Sequence, residues 1–193
     1  MKVKRPKKRK LVGIIAEDKS DISVLKSLIE KITKTPFSVE YFVGNGCGKI
    51  AGKCRSWAQN LSDSGCEYLL VVQDLDDKKV NELRRDLTAA LGVSPIAAHT
   101  IIIPVREIEA WLLADHTAIS KALKLHGAKL VSNPEGIRDP KRHLAELVFR
   151  WSKNKRRYVN AIDNPKIAAE CSPQNLGRCP SFAVLRDFVA ANL

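Results

Sequence analysis

The chain has 193 residues, 45% of them hydrophobic, and carries 33 Lys and Arg against 21 Asp and Glu, a formal net charge of +12. That length suits one domain, or one domain with an appendage, and buries a substantial core without disulfides or metals. The composition excludes intrinsic disorder, no apolar run reaches the roughly 20 residues of a membrane span, and the charge favours a polyanionic partner, nucleic acid first.

The opening stretch MKVKRPKKRK reads as a flexible basic arm over 1–10. It resembles the start of a signal peptide, but the apolar segment Leu11–Ala16 is too short and runs straight into Glu17 and Asp18. A cytoplasmic protein is therefore expected. Leu11–Ala16 reads as a buried strand. Ser20–Ile32 follows, with Ile22, Leu25, Leu28, Ile29 and Ile32 on one helical face and Ser20 as the N-cap. FSVEYFV, Phe37–Val43, is a second strand. The glycine-rich GNGCGK leads into a second helix that ends at Gly65. Tyr68–Gln73 is a third strand, Val80–Leu91 a third helix, HTIIIPV a fourth strand, and Glu107–Leu113 opens another helix. After His116 the chain is basic and Pro-punctuated, with helical stretches at Lys141–Trp151, Asn164–Cys171 and Ser181–Leu193.

The order is β-α-β-α-β-α-β-α. That alternation predicts an α/β fold with a mostly parallel four-stranded sheet flanked by helices over 11–115. Residues 116–193 are expected to form a helical extension packed on the same domain. Five cysteines, Cys47, Cys54, Cys66, Cys171 and Cys179, show no CxxC pair. They read as reduced thiols, not a zinc site.

In a parallel sheet, functional groups collect beyond the carboxyl ends of the strands. Glu17 and Asp18 follow strand one, with Asp21 a helical turn on. Asp74, Asp76 and Asp77 follow strand three, and Glu107 and Glu109 follow strand four. Converging carboxylates repel, and a divalent cation relieves that repulsion. On an extended segment Asp74 and Asp76 would point to one side and share an ion, while Asp77 would cap the next helix. Glu107 and Glu109 are about 200° apart on a helix, so only one faces the site squarely, and Glu109 is favoured. Acids at strand ends and helix starts also serve as ordinary caps and dipole partners. Trp111 reads as core. Lys49, Lys53 and Arg55 enter the second helix behind glycines, where backbone amides cradle phosphates, although the Walker pattern is missing. With Lys78 and Arg106 they are the expected nucleic-acid contacts. The four histidines form no ligand spacing.

A glutamate after strand one and the D-x-D of VVQDLDD together resemble the Toprim domain of topoisomerases, primases and overcoming-lysogenization-defect nucleases. AEDKSD resembles the E-G-x-[ST]-[DE] form of the nuclease branch, with Glu17 and Asp21 as its acids and Asp18 where that form has glycine. PVREIEAWLLAD and the tail DPKRHLAEL…RCPSF are similar to a bacterial family of Toprim-like proteins of unknown function found among mobile and defence genes. The resemblance implies a Rossmann-like Toprim fold and Mg²⁺- or Mn²⁺-dependent cleavage of DNA or RNA in a phage-defence or mobile-element setting. Glu17, Asp74 and Asp76 would be catalytic, and Glu17, Asp21, Asp74, Asp76 and Glu109 would hold metal. A partner ATPase and a homo-oligomer are left open, as is a non-catalytic nucleic-acid-binding effector of the same shape. A receiver-like phosphoacceptor fits less well, because strand four leads to Pro104, Arg106 and Glu107 instead of a hydroxyl residue. A haloacid-dehalogenase-type phosphatase fits least, because DLDD follows the third strand and continues to Lys78.

Overall fold

The structure is a computed structural model that describes residues 9–45 and 48–193. Most of the expected basic arm, and Gly46 and Cys47 of the glycine-rich turn, lie outside the described residues. The arm as expected is one residue too long, because Lys10 already begins the first strand. Its Nζ donates to the Asn192 carbonyl and lies 4.9 Å from the Tyr68 ring centroid.

Four strands build the sheet: β1 (Lys10–Ala16), β2 (Phe37–Val43), β3 (Tyr68–Val72) and β4 (Ala98–Ile102). They lie in the order β2-β1-β3-β4 and every pairing is parallel. Between them run α1 (Lys19–Ile32), α2 (Lys49–Asp63) and α3 (Val80–Leu91). The expected α/β fold with a parallel four-stranded sheet is therefore observed.

Each central strand buries both faces, which is why its sequence is a continuous apolar run. Val12, Ile14 and Ala16 of β1, Leu70 and Val72 of β3 and Ile102 of β4 join one core with Leu25, Leu28 and Ile29 of α1. Ile15, Leu69, Val71 and Ile101 point the other way, against Ile50, Cys54 and Leu61 of α2 and Leu83 and Leu87 of α3. The side-chain period of two in a strand divides them. Gly13 permits the close approach of α2, since a Cβ there would stand 3.0 Å from Leu61 Cδ1.

After β4 the chain turns helical: α4 (Glu109–Leu113), α5 (His116–Leu123), α6 (Pro140–Trp151), α7 (Asn160–Glu170), the short α8 (Pro173–Leu176) and α9 (Phe182–Asn192), with one 3₁₀ turn at Pro134–Gly136. All contribute to the core shared with α1, through residues such as Trp111, Ile119, Leu144, Ile167, Leu176 and Leu185. Trp111 is fully buried, and its Nε1 donates to Ser181 Oγ at 2.7 Å. Cys54, Cys66, Cys171 and Cys179 are buried free thiols. Among the described residues, no helix is long and apolar enough to cross a membrane.

Candidate functional site

The parallel register lines up the carboxyl ends of the strands. Ala16 pairs with Val43, Ile15 with Val71 and Val72 with Ile102. The pairing runs on past the strands. Asn45 N donates to the Glu17 carbonyl at 2.9 Å, Leu75 N to the Pro104 carbonyl and Asp76 N to the Arg106 carbonyl, both at 3.0 Å. The segments that carry Glu17, Asp74, Asp76, Glu107 and Glu109 thus share one edge of the sheet.

Mutual electrostatics show which acids feel one another's charge. Asp74 is pushed well above the usual carboxylate range, first by burial and then by the charges of Asp21, Glu109, Glu17 and Glu107. Asp21 is pushed up to about 7 by burial, then by Asp18, with Glu109 and Glu17 adding to it. Glu17 is raised by burial and by Asp76, while the Lys78 ammonium pulls it back. Its Oε1 is buried and has no hydrogen-bond partner among the described residues. Glu109 is 4% exposed, and its Oε1 accepts from Asn164 Nδ2 at 3.0 Å, with the Tyr158 hydroxyl oxygen 3.4 Å away. Glu107 points elsewhere: its Oε2 accepts from Lys141 N at 2.9 Å, at the start of α6.

Several local expectations are corrected. Asp74 and Asp76 do not fork from an extended segment, because β3 ends at Val72 and Asp76 has a left-handed φ of 51°. Asp74 faces the Asp21–Glu109 side, whereas Asp76 lines a neighbouring cleft with Asp77, Arg106, Glu107, Arg138, Asp139 and Arg142. That cleft has a volume of about 430 Å³. Asp77 does not cap α3. It pairs with the Arg106 guanidinium, which also donates to the Asp76 carbonyl at 2.9 Å. Arg106, expected on nucleic acid, is thus used to brace the Asp76 turn.

Ser20 is not the N-cap of α1. Asp18 is, accepting from Ser20 N at 2.6 Å and Asp21 N at 3.2 Å, while Asp21 Oδ2 accepts from Asp18 N at 3.1 Å. This capping box explains the departure from glycine at position 18 and occupies one Asp21 oxygen.

The expected basic contacts are scattered. Lys78 is exposed and close enough to Glu17 to be felt there. Lys49 begins α2 and its Nζ donates to the Asn45 carbonyl at 3.4 Å. Lys53 sits over the Trp57 ring, 5.7 Å from its centroid. Arg55 lies against Gly92, which closes α3 at the end away from the acids, about 17 Å along that helix. Arg55 therefore does not belong to the acidic edge. Sequence reasoning missed Arg138, Lys141 and Arg142, which border Glu107, and Tyr158 and Asn164, which touch Glu109. Their basic or polar character was visible in a basic segment, but only the packing of the C-terminal helices brings them to the strand ends.

The donor set suits a hard divalent cation: carboxylates only, with one buried Glu17 oxygen lacking a partner among the described residues. No three His, Cys, Asp or Glu side chains among the described residues already stand as a closed ligand set.

Fold and site define a class: an α/β protein with an all-parallel sheet and a carboxylate cluster at the carboxyl ends of its strands. The chain belongs to the family described as domain of unknown function DUF4276, which matches residues 16–190. No curated protein and no solved structure matches the chain.

Proposed function

We propose that this protein is a Toprim-like, Mg²⁺- or Mn²⁺-dependent nuclease that hydrolyses phosphodiester bonds in DNA or RNA. The observation that carries the reading is the convergence of Glu17, Asp21, Asp74 and Glu109, whose charges burden one another in a buried setting. Structural caps alone do not gather acids from three strand ends into mutual repulsion, and perturbed carboxylates mark functional sites.

Glu17, Asp21, Asp74, Asp76 and Glu109 would hold the metal, with Asp76 reaching it from the cleft side. The bound ion would polarise the phosphodiester and stabilise charge on the leaving oxygen. Glu17, raised above the usual carboxylate range by burial and by Asp76, is placed to exchange a proton with water at the site. As base it takes a proton from the attacking water as the water oxygen bonds to phosphorus and the P–O ester bond breaks. Lys78 beside Glu17, and Arg138, Lys141 and Arg142 around the adjoining cleft, would track the phosphate backbone. A cytoplasmic setting in phage defence, a controlling ATPase and a homo-oligomer belong to the same proposal.

A second reading is a nucleic-acid-binding effector without catalysis. It is favoured by the lack of a closed ligand set among the described residues. The deciding experiment incubates the purified full chain with DNA and RNA, with Mg²⁺, Mn²⁺ or chelator. Metal-dependent cutting that Glu17→Ala and Asp74→Ala abolish is the expected result. Binding without cutting in any metal supports the second reading, and undiminished cutting by both variants sinks the assignment.

A further inference from the structure

Asn164 is a fully buried polar side chain on the first turns of α7. Its Nδ2 donates to Glu109 Oε1 at 3.0 Å, and its Oδ1 accepts from the Tyr158 hydroxyl. That hydroxyl also lies 3.4 Å from Glu109 Oε1. The Tyr158 bond sets which way the Asn164 amide faces, because reversing it would aim the amide oxygen at the Glu109 carboxylate. One neutral donor from the C-terminal segment, the Asn164 amide, therefore holds one oxygen of a buried carboxylate, and Tyr158 orients that donor. The charge of that carboxylate is felt by Asp21 and Asp74. The helix that carries Asn164 packs along α1, which carries Asp21, and against α4, which carries Glu109.

Resting on the metal-site reading above, we infer that Tyr158 and Asn164 are positioning residues that hold Glu109 toward Asp21 and Asp74, so that the C-terminal helices complete the cation site. Satisfying a buried carboxylate would be a sufficient structural reason for one donor. A tyrosine that orients that donor, at the border of a groove of about 520 Å³ shared with Glu107, is what an outer support of an ion ligand needs. The two residues touch no reacting atom. They act through Glu109.

The test titrates the full chain with Mn²⁺ and follows free ion by electron paramagnetic resonance. Wild type is compared with Tyr158→Phe, Asn164→Leu, Glu109→Gln and the Tyr158→Phe/Glu109→Gln pair. Melting temperature and circular dichroism are recorded for each. Tyr158→Phe removes only a hydroxyl and keeps the ring, so it remains informative if Asn164→Leu fails to fold. Mn²⁺ affinity is expected to fall about tenfold in Asn164→Leu and in the same direction in Tyr158→Phe, the size of loss typical when a ligand's support is removed. In the Glu109→Gln background, Tyr158→Phe should have no further effect. Unchanged affinity in folded Tyr158→Phe, or a loss that is simply additive with Glu109→Gln, overturns the positioning role while leaving the metal site standing. A wild-type protein that takes up no Mn²⁺ overturns both the metal-site reading and the role that rests on it.

Discussion

Asp18 and Asp21 cap α1 reciprocally, each carboxylate accepting from the other's backbone N–H, at 3.2 and 3.1 Å. Of the three acids in the stretch AEDKSD, Asp18 thus has a plain structural task, and Asp21 gives one of its oxygens to the same cap. Asp18→Ala should destabilise the protein by about 1 kcal/mol, whereas Asp18→Gly, the residue of the resembled pattern, should cost only a few tenths of that. Chemical denaturation of the two variants checks the difference, and equal losses would count against the cap.

Asp21 is raised from 3.8 to about 7 in the folded protein. The native state therefore binds a proton more tightly than the unfolded chain. Its contribution is fully present below the unfolded value and is lost as pH rises through about 7. Asp74 shifts in the same direction. Stability in chelator should decline between pH 4 and 8, and Asp21→Asn, which keeps an acceptor for Asp18 N, should flatten that decline. The loss should be on the order of a few kcal/mol, because one pKa unit is worth about 1.4 kcal/mol. Denaturation midpoints across pH measure it.

A cation that replaces those protons should stabilise more at high pH than at low. At a hundred times its dissociation constant a ligand adds about 2.7 kcal/mol. For a chain of this size that is on the order of 5–10 °C in melting temperature. Thermal scans with Mn²⁺ should show this shift at pH 8 and a much smaller one at pH 5. An equal shift at both pH values would place the ion away from Asp21 and Asp74.

Asp115 behaves oppositely. Burial alone would raise it, but hydrogen bonds from Thr117, Ser172, Ala118 and Asn175 hold it below the usual carboxylate range. Its stabilisation is present above the unfolded value and fades as pH falls through the lower folded one. Asp115 is 1% exposed and ties α5 to the Ser172 backbone at 2.9 Å. Asp115→Ala strands Ala118 N and Ser172 N, and a loss of about 2–4 kcal/mol is expected. This acid of EIEAWLLAD is a latch, and the metal-dependent cutting proposed above, measured well below the variant's melting temperature, should survive its loss.

The basic residues should separate by position. Lys78→Ala should weaken nucleic-acid binding and lower the slope of log affinity against log salt by about 1. Arg55→Ala, altered near the far end of α3, should change neither. Fluorescence anisotropy over a salt series distinguishes them.

Much of the fold was legible because apolar period is a local signal. Phe37–Val43 and Val80–Leu91 are predicted with the bounds observed, and the parallel sheet follows from the alternation of elements. Cap identity and side-chain direction were less so. Ser20 and Asp18 are both good caps in isolation, and only the entry of the backbone at Asp18, with φ of −142°, selects the latter. The D-x-D reasoning failed because it extended the strand past Val72, where pairing with Arg106 turns Asp76 into a left-handed conformation.

The sequence by itself determined the layers, the parallel order of elements and the placement of Glu17, Asp74 and Glu109 just beyond strand ends, because these depend on residues close in the chain. Tertiary structure decided the rest. It drew Asp21 and Glu109 toward Asp74, set Asp76 and Glu107 on the lining of an adjoining cleft, and set Asn164 against Glu109 across 55 residues. Those choices depend on the packing of α6 and α7 beside α1 and α4, distances that no local pattern encodes.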